Sequence, residues 1–196
     1  MRYLCQLIIL TLLIFPISSW AVTLDELVTR DAIHFKKFSD LPYTGEVTGT
    51  YQGDDLGWEH QGQFLDGKRH GKWLIYYESG QLVFEINYDR GTRDGLYRQF
   101  FTNGILAIKG LYKNGEWVGE WTEYFMSGQV ESKGHYFNSF EVGLWKYWNP
   151  DGTLREMGSF NKNGKKDGVW IGYNKDGSVG RKIYYSNGNI IRREYF

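Results

Sequence analysis

A chain of 196 residues with 23 basic and 23 acidic side chains has room for one domain or one continuous repeat array, and lacks the basic footprint that nucleic acid demands. Its 25 glycines against 3 prolines, with 18% aromatic residues, exclude collagen and aromatic-poor disordered tracts. Tight turns joining aromatic strands account for that mixture.

The chain opens with Arg2, an uncharged run of 14 residues from Leu4 to Ile17, and then Ser18-Ser19-Trp20-Ala21. A positive start, an apolar stretch and small residues at −3 and −1 of a cut after Ala21 predict a secretory signal peptide over 1–21. The alternative, an uncleaved anchor, needs roughly 20 apolar residues. Cleavage would remove Arg2 and Cys5, the single thiol, leaving a nearly neutral chain without disulfides. The expected place is periplasmic or secreted.

Residues 22–41 read as an N-terminal cap. Thr23-Leu24-Asp25-Glu26 has the form of a capping box, and with Leu24, Leu27 and Val28 on one side it predicts a short helix of two turns. Ile33, Phe35 and Phe38 suggest an extended segment after it. Over 42–61 an aromatic and glycine pattern begins in degenerate form at Tyr43, Gly45 and Val47, as expected of the end unit of an array.

From 62 to 177 the pattern is a repeat of 24 residues. Each unit opens at Gly62, Ile86, Gly110, Gly134 or Gly158, followed two residues on by Phe64, Tyr88, Tyr112, Tyr136 or Phe160. A central glycine comes next, at Gly71, Gly95, Gly119, Gly143 and, after a one-residue insertion near Asn163-Gly164, Gly168. Two residues past it stand Trp73, Tyr97, Trp121, Trp145 and Trp170; five past it stand Tyr76, Phe100, Tyr124, Trp148 and Tyr173. Two runs of aromatic and β-branched residues per unit, separated by Asp66-Gly67 or Asn114-Gly115 and by Ser79-Gly80 or Asn103-Gly104, are hairpin signatures. The first connection reads as extending to the central glycine. The fold class expected is all-β, an antiparallel meander gaining two strands per unit. Residues 178–196 form a compressed last copy, whose Arg192, Arg193 and Glu194 read as a charged cap that discourages edge pairing.

On a regular strand Trp121 and Tyr124 point to opposite faces. Either a bulge brings the two series together or both faces carry rings. The Trp series is expected to pack against neighbouring hairpins, with a stacking platform for sugars or a partner's apolar strip as the alternative. A single layer cannot bury both faces, so Tyr76, Phe100, Tyr124, Phe125, Trp148 and Tyr173 are the candidate partner-binding aromatics.

The pattern Gly-x-aromatic-x-Asn-Gly, Gly-x-Trp-x-x-Tyr, then Ser, Asp or Asn before Gly, repeated from Tyr43 to Phe196, resembles the MORN-repeat variant of bacterial proteins, the group often labelled YwqK-family antitoxin. That resemblance implies an elongated, twisted single-layer sheet of hairpins that acts by binding. It implies a protein partner, a toxin under the antitoxin label, or attachment to membranes through lipid headgroups. With a signal peptide, such a partner is expected in the envelope.

Catalytic and metal signatures are not found in the sequence. His34, His60, His70 and His135 lack metal-ligand spacing, and no nucleophile elbow or phosphate loop occurs. Glu120 and Glu123 flank Trp121, but Lys72 and Ile75 or Leu144 and Tyr147 hold the same places elsewhere. The expected function is a non-enzymatic, cofactor-free protein-binding module, with envelope glycan or lipid headgroups as the alternative ligands of the aromatic strip.

Overall fold

The computed structural model describes residues 21–51 and 57–196; the expected leader lies outside them except for Ala21. Sixteen strands follow in chain order: β1 (Val22–Thr23), β2 (Leu27–Arg30), β3 (Ile33–Lys36), β4 (Gly45–Thr50), β5 (Glu59–Leu65), β6 (Lys68–Tyr76), β7 (Leu82–Asp89) and β8 (Thr92–Phe100) form the first half. The second half is β9 (Leu106–Lys113), β10 (Glu116–Tyr124), β11 (Val130–Phe137), β12 (Phe140–Trp148), β13 (Leu154–Phe160), β14 (Lys166–Tyr173), β15 (Val179–Ser186) and β16 (Asn189–Tyr195). Fourteen strands make one sheet in the order β1, then β4 to β16 in sequence. From β4 onward every pairing is antiparallel between consecutive strands, whereas β1 lies parallel to β4 at the edge. The remaining hairpin, β2–β3, packs at that end.

Two kinds of turn alternate along the meander. At Asp66-Gly67, Arg90-Gly91, Asn114-Gly115, Asn138-Ser139 and Asn187-Gly188 both residues have positive φ, the two-residue type I′ turn that matches strand twist. At the other edge Tyr77 N–H bonds Gln81 O and Gly80 N–H bonds Tyr77 O, both at 2.8 Å, closing a three-residue loop with Gly80 left-handed. The one-residue insertion gives Asn161 to Lys165 this second geometry, with Asn161 N–H on Lys165 O.

The central glycine is a separate device, a bulge inside the strand rather than an extension of the turn. Gln63 pairs with His70 and Gln61 with Leu74, so Gly71, Lys72 and Trp73 stand against Gly62 alone. The same three-against-one arrangement sets Gly119 to Trp121 against Gly110 and Gly143 to Trp145 against Gly134. Gly71 at φ 66 and Gly119 at φ 68 take a conformation that a Cβ disfavours.

The two-turn helix expected at Thr23 is not formed. Leu24–Glu26 is one 3₁₀ turn, and Thr23 makes no side-chain cap bond. Pairing of Val22 and Thr23 with β4 and the start of β2 at Leu27 leave three residues between strands, too few to nucleate an α-helix. Leu24 and Leu27 are instead drawn into a core with Val47, Phe64 and Trp73. The Thr23 hydroxyl serves the Asp25 carboxylate and lowers its pKa.

Candidate functional site

Residues directly paired across strands share a face, so the registers sort the side chains. The inner face carries Phe64, Trp73, Tyr88, Tyr97, Tyr112, Trp121, Tyr136, Trp145, Phe160 and Trp170. Trp73 is 0% exposed, and Trp121, Trp145 and Trp170 are likewise buried. A one-layer sheet buries an indole because each lies flat on the opening glycine of the facing strand. A Cβ at Gly62 would sit 2.3 Å from Trp73 Cδ2, and one at Gly134 would sit 2.1 Å from Trp145 Cδ2. Each indole N–H then donates to the carbonyl just past that glycine, Trp73 to Gln63 at 3.1 Å and Trp170 to Ser159 at 3.0 Å. Edge-on ring pairs join the units, Trp121 to Tyr136 at 5.6 Å and Tyr136 to Trp145 at 5.1 Å.

The unit that opens with Ile86 lacks the tryptophan as well. Ile86 stands opposite Tyr97, whose hydroxyl bonds Gln99 Oε1 at 3.2 Å. The isoleucine occupies the space that an indole needs, so the two departures from the repeat compensate each other.

The second ring series lies on the outer face. Tyr76, Phe100, Tyr124, Trp148 and Tyr173 end their strands, each opposite an aliphatic residue such as Leu82, Leu106 or Val130. On the β5 side the ladder is regular from Leu74 to Tyr76, which stands opposite Glu59 on the outer face, while on the β7 side a second bulge sets both Leu82 and Val83 against Tyr76; both faces therefore carry rings. All five, and Phe125 in the adjoining turn, are half-buried. Burial raises the Tyr76 pKa, with Glu59 adding to it. Among the described residues no ring pair joins these candidates to one another.

Beside this series the outer face shows apolar residues that periodicity did not single out. Phe137 is 59% exposed, Phe140 53% and Leu144 51%, with Leu111 and Val169 also exposed. Phe137 and Phe140 pair across the Asn138-Ser139 turn, where other units carry Leu65 with Lys68, Asp89 with Thr92 and Lys113 with Glu116. Elsewhere the outer face is charged, with Lys133 2.9 Å from Glu120 and Arg98 3.0 Å from Glu85. The signal in the sequence was a break in the repeat, two aromatics at a turn where the other units place at least one polar or charged residue.

The inner face also has charge. Arg69 and Arg93 sit beside Tyr88 and Tyr112, and the position they share in the repeat is held by Trp117, Glu141 and Lys166 in later units. Burial raises the Glu141 pKa against a smaller lowering by the Tyr147 hydroxyl. Burial likewise pushes Tyr97 up to about 12 and raises Tyr136 and Tyr147 further. The histidines are dispersed: His34 Nδ1 lies 3.2 Å from Gly67 O and His70 Nδ1 3.4 Å from Asp89. Among the described residues no group of three or more His, Cys, Asp or Glu could hold a metal ion.

One hairpin unit and one rung of buried rings, repeated along a meander in which each strand touches only its neighbours, define a repeat protein. Four successive stretches, 69–90, 93–114, 117–138 and 141–162, match the MORN repeat variant. Each begins just past a two-residue turn, and the last ends before the Asn163-Gly164 insertion. No curated protein matches the chain. MORN repeats in general are protein- or membrane-binding modules.

Proposed function

We propose that this chain is a non-enzymatic scaffold that binds another protein on its outer face in the cell envelope. The observation that carries this is the exposed pair Phe137 and Phe140, with Leu144 and Leu111 also exposed on that face, where other units carry ion pairs. Exposed apolar surface on a folded protein is an interaction signature, and the half-buried Tyr124 and Trp148 stand on the same face at the three-residue turns. The uncharged run Leu4 to Ile17 supports export. Under an immunity-like role the partner is a toxin acting in the envelope. Capture with the mature chain from envelope extracts should recover one specific protein, and Phe140→Asp with Leu144→Asp should abolish its recovery; recovery unchanged by both substitutions would refute the outer-face assignment.

A second reading has its own observation. Trp117 lies half-buried on the inner face, 4.8 Å from Trp121 and 4.9 Å from Tyr136, a ring platform suited to envelope glycan or a lipid headgroup. Tryptophan fluorescence titrated with cell-wall fragments and with vesicles tests it, and no change with either removes it.

A further inference from the structure

We propose that a cleft at the N-terminal end of the inner face takes an acidic segment of the partner protein, with Arg69 receiving one carboxylate and Arg93 a second. This rests on the protein-binding reading above and assigns it an electrostatic anchor. The cleft has a volume of about 470 Å³ and is lined by His34, Tyr51, Lys68, Arg69, Tyr88 and Arg90 among others. It exists because the β2–β3 hairpin folds over the first two-residue turn, where His34 N–H bonds Gly67 O at 2.9 Å.

Arg69 forms the floor. One guanidinium nitrogen donates to the Tyr88 hydroxyl at 3.3 Å and another to Tyr51 at 3.1 Å, and the group lies 4.7 Å over the Trp73 ring. The groups acting on it are these two phenols and burial, with no carboxylate among them. The acids next to Tyr88 and Arg93 in sequence belong to the opposite face. Asp89 alternates with Tyr88 and meets His70, while Asp94 alternates with Arg93, pairs with Lys113 at 3.0 Å and accepts Asn114 N–H at 3.1 Å. A partly desolvated cation with no counter-ion among the described residues, joined by Lys68 and Arg90 at the mouth, is completed by an anion. A guanidinium with free N–H donors favours the planar, two-oxygen geometry of a carboxylate.

The repeat supplies the spacing. Arg93 stands in the same relation to its own tyrosine, donating to Tyr112 at 3.1 Å and lying 5.3 Å from its ring. Two strands separate the arginines, roughly 10 Å. A segment in the polyproline II conformation returns to the same side every third residue, after about 9 Å. Acidic residues three apart therefore meet both arginines, and Trp117 in the third unit limits the register to two charges. The cleft lies along the two-residue-turn edge that also carries Phe137 and Phe140, so one partner reaches both by straddling that edge.

Calorimetry on the mature chain tests this with a proline-rich peptide carrying two glutamates three residues apart, its variant with one glutamate changed to glutamine, and inorganic phosphate. The two-glutamate peptide should bind about tenfold more tightly than the one-glutamate peptide, and Arg93→Gln should erase that difference. Arg69→Lys, which keeps the charge and removes the fork, should weaken both peptides by about tenfold. Arg93 is exposed and meets Tyr112 at its hydroxyl, so Arg93→Gln keeps the test decisive if an Arg69 variant loosens the fold. Equal binding of phosphate and peptide, or peptide binding indifferent to Arg93→Gln, overturns the proposal. Phe140→Asp should leave peptide affinity unchanged. A partner lost on Phe140→Asp from a chain that binds no acidic peptide removes the cleft assignment and leaves the outer-face reading standing.

Discussion

At Gly134 the methyl group of alanine meets an indole ring that is held from behind by its own hydrogen bond, Trp145 to His135 O at 3.2 Å. Neither the strand nor the ring can yield, so Gly134→Ala should cost about 2–3 kcal/mol, read as a lower urea midpoint at unchanged slope. Ile86 and Tyr97 supply the converse. Tyr97→Trp alone should destabilise the chain because the indole collides with Ile86, and adding Ile86→Gly should restore it. A double-mutant cycle should show coupling of at least about 1 kcal/mol, and additivity would argue that glycine and tryptophan are independent. Arg90 is the other informative residue, with φ 44 in a turn where equivalent positions carry Asp66 and Asn114. Arg90→Asn should raise stability by about 1 kcal/mol, visible in a thermal melt.

Strand β12 holds Glu141 with its folded pKa raised by burial. A raised carboxyl contributes stability below the ordinary glutamate range and loses it as pH rises through the folded value. Glu141→Gln should therefore stabilise the chain near pH 7 and give no gain near pH 3.5, measured by melts at both. Strand β8 behaves in the same sense at high pH. Tyr97, ordinarily ionising at 10.0 and here pushed up to about 12, contributes stability that disappears over that interval. The hairpins themselves were readable because their causes are local: Asn114-Gly115 and Ser79-Gly80 specify turns wherever they stand. The faces were not, since a bulge at Gly119 displaces the register without changing the residue pattern after it. The capping box at Thr23 misled for the opposite reason, a local preference overridden by burial of Leu24 and Leu27. The cleft around Arg69 depends on contact between His34 and Gly67, far apart in sequence, and no local pattern announces it.

Because each strand of the meander pairs only with its sequence neighbours, the molecule should behave as a chain of nearly equivalent links. Deleting 117–140 removes one period and joins Glu116 to Glu141 with turn spacing kept. The shortened chain should fold, with the circular dichroism of the parent, yet fail to capture a partner that needs Phe137 and Phe140; a chain that unfolds instead would contradict nearest-neighbour stability. The strand order has a mechanical consequence too. β1 and β16 lie at opposite edges of the sheet, so tension applied between the two ends loads the ladders one hydrogen bond at a time, as a zipper, rather than many in shear. Each period releases 24 residues of chain, about 80 Å when extended. Pulled apart in an optical trap, the sheet should lengthen by regular steps of that size at low force, peeling from its edges inward.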